Sequence, residues 1–423
     1  MINRNELIKS LRDWLTWFMR ESQSLQIRSS VIRIPKELCL ALTGVRRSGK
    51  TFTALQIARE ADLLKETFYY NFEDPVCLAG ATARDIETLI SLFEEERGYS
   101  PRLVILDEVQ YVEGWEKWVR KAVDMKQFGI IVTGSSSRLL SSEFATAISG
   151  RVIEKAIWPL SFKEFVSFRG KKPISEGQWL HELCHYMRWG GFPKPTLLDT
   201  EEERIDLLKQ YLSDIVLRDV LNRHKILNHL ALNQIVSWYL TNIACLHSYS
   251  AIKKAFEIST DLAATLSSYL AEAYLAFELS RYHLNMKVQT RDPKKVYLID
   301  NGLRTVSLLS EREDWGRLVE NIVYIELRRR NKQVFYYKNK GEVDFLVTEL
   351  GKPQQAIQVC FSDLEDEKTK QRELSSLLEC LQELDLSTGI LLTKSYEEII
   401  HNDKQTVHCI PLYRWLLDGG EGV

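Results

Sequence analysis

The run Thr43-Gly44-Val45-Arg46-Arg47-Ser48-Gly49-Lys50-Thr51 decides the fold. It holds the pattern Gly-x-x-x-x-Gly-Lys-Thr, in which glycines let the backbone wrap a phosphate where a Cβ would obstruct it. Leu40-Ala41-Leu42 before it reads as a buried strand, and residues 52–58 after it read as a helix start. That context points the loop's N–H groups and the helix N-terminus at an anion. Gly44, Val45, Arg46, Arg47, Ser48, Gly49, Lys50, Thr51 and Phe52 are therefore the candidates for binding a nucleotide. Lys50 places charge at the β/γ-phosphates, and the Thr51 hydroxyl is a candidate Mg²⁺ ligand. Arg46 and Arg47 fill variable positions and add favourable potential.

Working outward, Leu103-Val104-Ile105-Leu106-Asp107-Glu108 reads as a strand buried on both faces that ends in two acids. Acids are costly in a core but have work to do at the ligand edge of a sheet. Asp107 is the second candidate Mg²⁺ ligand, and Glu108 the group that polarises an attacking water. The strand at 129–133 is expected beside it. Beyond it, Thr133 or Ser135 is placed to touch the γ-phosphate or that water, unless the serines of 135–137 simply cap a helix at 138–144; both readings stand. Gly150-Arg151 offers an arginine finger, in cis or from a neighbouring subunit, or else a surface arginine.

At 423 residues the chain has room for two or three domains. A net charge of −2 gives no global basic excess, although a local patch can still bind nucleic acid. The 7 cysteines are scattered without a Cys-x-x-Cys pair, which fits free thiols and neither a disulfide framework nor a zinc ribbon. With no apolar leader and no run of about 20 apolar residues, a soluble cytoplasmic protein without a membrane partner is expected. Leu7, Leu11, Trp14, Leu15 and Phe18 recur on one helical face, expected to pack on the nucleotide-binding core. Strands at 39–43, 67–72, 103–106 and 129–133 alternate with helices, the pattern of a parallel sheet. Residues 166–225 read as helical, broken by Trp189-Gly190-Gly191-Phe192-Pro193. Three helices and a strand pair, 276–285 with 295–299, suggest a winged helix. Its third helix, 261–274, contains no arginine or lysine, so a structural or protein-binding role suits it better than base reading.

These motifs, in this order, resemble one archaeal and bacterial family of AAA-type P-loop ATPases. The resemblance rests on the phosphate loop, Asn71-Phe72-Glu73-Asp74, Leu106-Asp107-Glu108-Val109-Gln110, Thr133-Gly134-Ser135-Ser136, Gly150-Arg151 and Pro159-Leu160-Ser161-Phe162. It continues through Gly190-Gly191-Phe192-Pro193, Arg218-Asp219, Tyr297-Leu298-Ile299-Asp300, Glu320-Asn321 and Glu342-Val343-Asp344-Phe345. It implies ATP with Mg²⁺, and a C-terminal domain of unknown function resembling the restriction-endonuclease (PD-(D/E)xK) fold. The expected α/β architecture is thus an ATPase domain (1–165), a helical lid or linker (166–225), a winged-helix-like domain (226–305) and a nuclease-like domain (306–423).

In such nucleases a helix Glu, a strand Asp and a Glu-x-Lys pair hold the metal and assist the attacking water. The corresponding residues here are Glu320, Asp344 and Gln358, with Cys360 where the lysine would stand. Cys360 carries no ammonium charge, and Lys338 or Lys340 is the candidate substitute. The expected function is Mg²⁺-dependent ATP hydrolysis through Lys50, Glu108, Ser135 and Arg151, coupled to nucleic acid. The alternatives are an ATP-dependent metal nuclease and a slow nucleotide switch that recruits protein partners or forms a homo-oligomer. Arg328-Arg329-Arg330, Lys332, Lys338 and Lys340, with Tyr336 and Tyr337, form the candidate nucleic-acid patch. His181-Glu182-Leu183-Cys184-His185 matches a zinc pattern, but Leu180, Leu183, Cys184 and Met187 mark the buried face and leave the histidines on the polar side.

Overall fold

The computed structural model describes residues 3–29, 32–35, 37–78, 80–134, 150–307, 314–361 and 367–418. The chain divides into two compact units, Met1–Ile157 and Trp158–Val423.

In the first unit β1 (Cys39–Thr43), β2 (Thr67–Asn71), β3 (Leu103–Asp107), β4 (Gly129–Thr133) and β5 (Val152–Ala156) form a parallel sheet in the order β2-β3-β4-β1-β5. Its alternating side chains feed two cores, as a sheet covered on both faces requires. Val104, Leu106, Ile130 and Val132 pack with Ile86, Leu89, Trp115 and Val119 of the helices Ala83–Arg97 and Trp115–Met125. Leu40, Leu42, Ile105 and Ile131 pack with Leu55 and Ile57 of the helix Lys50–Glu60. The amphipathic helix α1 (Arg4–Gln23) joins both, with Leu7, Leu11 and Leu15 in one core and Phe18 in the other. Trp14 Nε1 and Ser10 Oγ donate to Asp74 at 2.8 and 3.0 Å, which fixes its seat. Strand β5 was not expected from the sequence. Its Ile153, Glu154 and Lys155 are exposed at the sheet edge, so it lacks the apolar run that marks its neighbours.

The second unit starts earlier than the expected boundary at 165. The reason is local: Leu160 N donates to Gly191 O at 2.6 Å, and Tyr186 Oη donates to Leu160 O at 2.8 Å. These bonds bind 158–162 to the helix Glu176–Trp189. The expected divisions at 225 and 305 fall inside this one compact unit.

Helices His229–Thr241, Tyr249–Phe256 and Thr260–Glu272 accompany a three-stranded antiparallel sheet whose first strand lies between the first two helices. Its strands β6 (Leu246–His247), β7 (Ala276–Leu279) and β8 (Lys294–Leu298) lie in the order β6-β8-β7. The strand pair is shorter than expected, because residues 280–282 turn away to bond Tyr336, and a helix at Met286–Arg291 follows in the connection.

The helix Trp315–Arg329 then leads into β9 (Gln333–Lys338), β10 (Glu342–Glu349) and β11 (Lys352–Cys360), an antiparallel run. After the helix Glu367–Glu383 come β12 (Thr388–Thr393), β13 (Glu398–Asn402) and β14 (Gln405–Pro411), giving the order β9-β10-β11-β12-β14-β13. Strand β12 runs parallel to β11.

Several stretches that carry the family resemblance meet in one buried polar knot. Asp300 accepts from Gly191 N at 2.6 Å and Gly302 N at 2.8 Å, and burial pushes its carboxyl up to about 7 against those bonds and the nearby Arg329. Asn321 Oδ1 accepts from Leu298 N at 2.8 Å, while Asn321 Nδ2 donates to Asn301 Oδ1 at 2.9 Å.

Candidate functional site

The phosphate loop lies at the carboxyl edge of β1, beside the ends of β3 and β4, where open α/β sheets bind ligands. Gly44 has φ +134°, and a Cβ there would stand 2.3 Å from Ile157 O, so the position demands glycine. Gly49 has φ +98° and opens the helix Lys50–Glu60. The Lys50 ammonium is buried and donates to Gly44 O and Val45 O, both at 3.1 Å. Ser48 Oγ is buried with no hydrogen-bond partner, while Arg28 Nη1 donates to Ser48 O at 3.2 Å. Arg46 is nearly buried and pairs with Glu73 at 3.5 Å, which offsets the potential it was expected to add. Phe52 is half exposed and meets Trp17 edge-on at 6.2 Å.

Asp107 is the centre of the constellation. Thr51 Oγ1 donates to its two carboxylate oxygens at 3.1 and 3.0 Å, Tyr69 Oη donates at 2.9 Å, and Thr133 Oγ1 donates as well. Full burial and the neighbouring Glu108 push the Asp107 carboxyl up to about 6, against the pull of those hydroxyls. The donor set of Thr51 and Asp107 is all oxygen and suits a hard cation such as Mg²⁺. Glu108 sits in the left-handed region at φ 53°, with its N–H donating to Thr133 Oγ1 at 3.1 Å. That turn carries its carboxylate past the strand end, where Gln110 Nε2 donates to it. Thr133 thus braces both acids from β4. Sequence reasoning missed Tyr69, a polar tip on an aromatic that reads as core. Its ring stacks on Trp17 and Phe18 at 5.5 and 5.3 Å.

One expected site residue, Arg151, is not brought here, and another is not described. Ser135 lies outside the described residues. Arg151 precedes β5, whose register pairs Val152 with Cys39 and Ala156 with Thr43. It therefore stands at the amino end of the sheet, opposite the phosphate loop, with its Nε bonded to Asp124 at 2.6 Å. Arg151 is not a finger for its own chain's site.

In the second unit Glu320 and Asp344 do come together, around a residue the sequence did not single out. The Lys295 ammonium on β8 lies 3.0 Å from Glu320, 3.0 Å from Glu342 and 2.9 Å from Asp344. Burial would lower its pKa, but the three acids hold it well above the ordinary lysine value. Gln358 is held by its neighbours, its Oε1 accepting from Asp344 N at 3.1 Å and its Nε2 donating to Glu373 at 2.7 Å. Cys360 is buried. Lys338 reaches only the rim, bonding Glu342 at 3.1 Å. A nuclease metal does not fit this arrangement. Among the described residues no group of three or more His, Cys, Asp or Glu is placed to hold a metal ion.

Two arginines of the basic run are held by neighbours. Arg329 donates to Glu326 and Pro159 O, while Arg330 donates to Glu326 and Trp415 O and lies over the Trp415 ring at 4.0 Å. Tyr336 is fully buried, so Arg329, Arg330 and Tyr336 are engaged in packing, while Arg328, Lys332, Lys338 and Lys340 of the same patch are exposed. On the helix Glu176–Trp189, Glu182 pairs with Arg169 at 2.9 Å, and Cys184, expected inside, is exposed. No helix among the described residues is long and apolar enough to cross a membrane.

Comparison with known proteins finds an AAA domain over the segment that holds the phosphate loop. Residues 36–166 match an AAA domain, and 180–314 and 315–415 match two domains of unknown function. An uncharacterized protein of Methanocaldococcus jannaschii is 34% identical over 398 residues, covering 88% of this chain and 87% of its own. One of Haemophilus influenzae is 31% identical, covering 72% and 78%. Among solved structures, C. elegans PCH-2 aligns at 14% identity over 64% of this chain and 67% of that chain, with a TM-score of 0.24, too loose a likeness to bear on the fold. By its identity to the archaeal and bacterial proteins along most of their length, this chain belongs to their family of AAA-domain proteins.

Proposed function

We propose that the chain binds ATP with Mg²⁺ and hydrolyses it at the first-unit site. The observation that carries this reading is the Thr51–Asp107 pair, 3.0–3.1 Å apart, with Glu108 turned out beside it. In this reading the loop amides and Lys50 bind the β- and γ-phosphates, and Thr51 and Asp107 hold Mg²⁺. A bound Mg²⁺ supplies charge neutralisation at the phosphate oxygens. Glu108 accepts the proton of the attacking water, and Thr133 and Tyr69 keep Asp107 oriented. In Glu108→Gln the carbonyl oxygen still orients water but no longer takes its proton. ATP should then bind with near wild-type affinity while turnover falls by about a hundredfold or more. Wild-type turnover by Glu108→Gln would refute the assignment. Lys50→Ala should lose nucleotide binding itself.

The order helix–β9–β10–β11–helix–β12 supports a restriction-endonuclease-like reading of the C-terminal sheet, and the three helices with β6, β7 and β8 support a winged-helix-like reading of 226–305. Neither region adds a second active site in this proposal, because the acids at 320 and 344 are already paired with Lys295.

A further inference from the structure

Lys295 is 3% exposed, and its ammonium touches one carboxylate from the helix Trp315–Arg329 and two from β10. Each acid has a second donor. Tyr297 Oη donates to Glu320 at 2.7 Å, Val359 N donates to Asp344 at 3.1 Å, and Lys338 donates to Glu342 at 3.1 Å. The ammonium thus stands where a metal would have to stand, since the same oxygens would be its ligands. A divalent ion there would face a fixed positive charge at contact distance in a buried setting.

We infer that Lys295 is a tethered cation that takes the place of a metal ion, so that Glu320, Glu342 and Asp344 form a closed ion-pair lock that excludes divalent metals. The lock joins β8 to the sheet β9–β14. Lys295 belongs to the segment matched at 180–314, whereas its three acids belong to the one matched at 315–415. It therefore couples two sequence domains through charge rather than through a cofactor. Removing the lysine leaves three converging acids, Asp344 buried and Glu320 and Glu342 partly buried, that need a cation, and a divalent ion supplies one.

The test is Mn²⁺ binding by nucleotide-free full-length protein, read by electron paramagnetic resonance and by thermal unfolding. Wild-type protein and Asp344→Asn should take up Mn²⁺ equally weakly, because this cluster contributes no site. Lys295→Met should melt lower, bind Mn²⁺ about a hundredfold more tightly than wild type, and regain its melting temperature in Mn²⁺. Lys295→Met/Asp344→Asn should lose that gain. A triple variant, Lys295→Met/Glu320→Gln/Asp344→Asn, keeps the test sound if the single variant does not fold, since it should fold without Mn²⁺. Wild-type uptake of Mn²⁺ that Asp344→Asn abolishes would overturn the inference. So would a folded Lys295→Met that gains no affinity for Mn²⁺, or a triple variant that folds only when Mn²⁺ is added.

Discussion

Alanine at Gly190 tests the buried knot around Asp300. Gly190 has φ +72° and ψ −163°, a backbone region that side chains rarely enter. That conformation alone costs about 1–3 kcal/mol for a non-glycine residue. A Cβ there would also stand 1.7 Å from Asp300 Oδ1, so the carboxylate must leave. Its departure breaks the bonds from Gly191 N and Gly302 N, at 2.6 and 2.8 Å. Buried hydrogen bonds to a charged group contribute about 1.5–3 kcal/mol each. The combined loss is on the order of 5 kcal/mol, comparable to the whole stability of a small domain. Urea unfolding followed by near-ultraviolet circular dichroism would read it, with nucleotide binding by the first unit as an internal control. The two losses separate in a double-mutant cycle. In an Asp300→Ala background the added alanine at 190 meets no carboxylate, and its cost should fall to the backbone part, about 1–3 kcal/mol. A loss below about 1 kcal/mol in the wild-type background, or full additivity in the cycle, would refute the reasoning.

Asp300 also predicts a pH dependence. Its folded value, about 7, lies above the ordinary 3.8, so its contribution to stability is fully present below pH about 4 and drains away as pH rises toward 7. Asp300→Asn does not titrate, so its stability deficit relative to wild type should shrink across that window; a deficit independent of pH in urea titrations contradicts this. Tyr69→Phe removes the hydroxyl bonded to Asp107 but keeps the ring stacked on Trp17 and Phe18. It should leave folding intact and raise the Mg²⁺ concentration for half-maximal ATPase activity about tenfold, as loss of a bond that orients a metal ligand does; an unchanged Mg²⁺ requirement would show that Tyr69 is only core. Arg151→Ala breaks an exposed pair with Asp124 and should leave stability nearly unchanged, with turnover within about threefold of wild type. A thousandfold loss of turnover would instead mark Arg151 as a finger donated by a neighbouring copy.

The parts of the fold that were legible in the sequence are those whose physics is local. β1, β3 and β4 are short runs buried on both faces, and such runs stand out as uninterrupted apolar residues. The loop glycines, Lys50, Thr51, Asp107 and Glu108 were readable because close approach to a phosphate needs those residue types at those spacings. β5 was hidden by its exposure, and that omission displaced Arg151. Without a strand between 151 and 157, nothing in the sequence sets Arg151 apart from the phosphate loop. The parallel register instead separates it from the loop by the strand's length, about 3.3 Å per residue. Two arginines of the basic run at 328–330, Arg329 and Arg330, have a partner that was visible in the sequence. Glu326 stands three and four residues before Arg329 and Arg330, one helical turn away, where an acid consumes a basic side chain before any phosphate does.

Lys295 shows why the remaining residues were out of reach. The nuclease pattern asks for a lysine two residues after position 358, and Cys360 answers that question with no charge. The physical requirement is different: three acids converging in a buried space need a cation at their centre, whatever strand delivers it. Nothing within a few residues of Lys295 announces that role, because its partners lie 25, 47 and 49 positions downstream, on elements whose packing brings them together. The pairing also explains how Glu320 and Asp344 come together while the lysine of the pattern is absent. Their geometry answers to the ammonium, which holds it in place as a metal would, so their presence together is evidence for a lock and not for cutting.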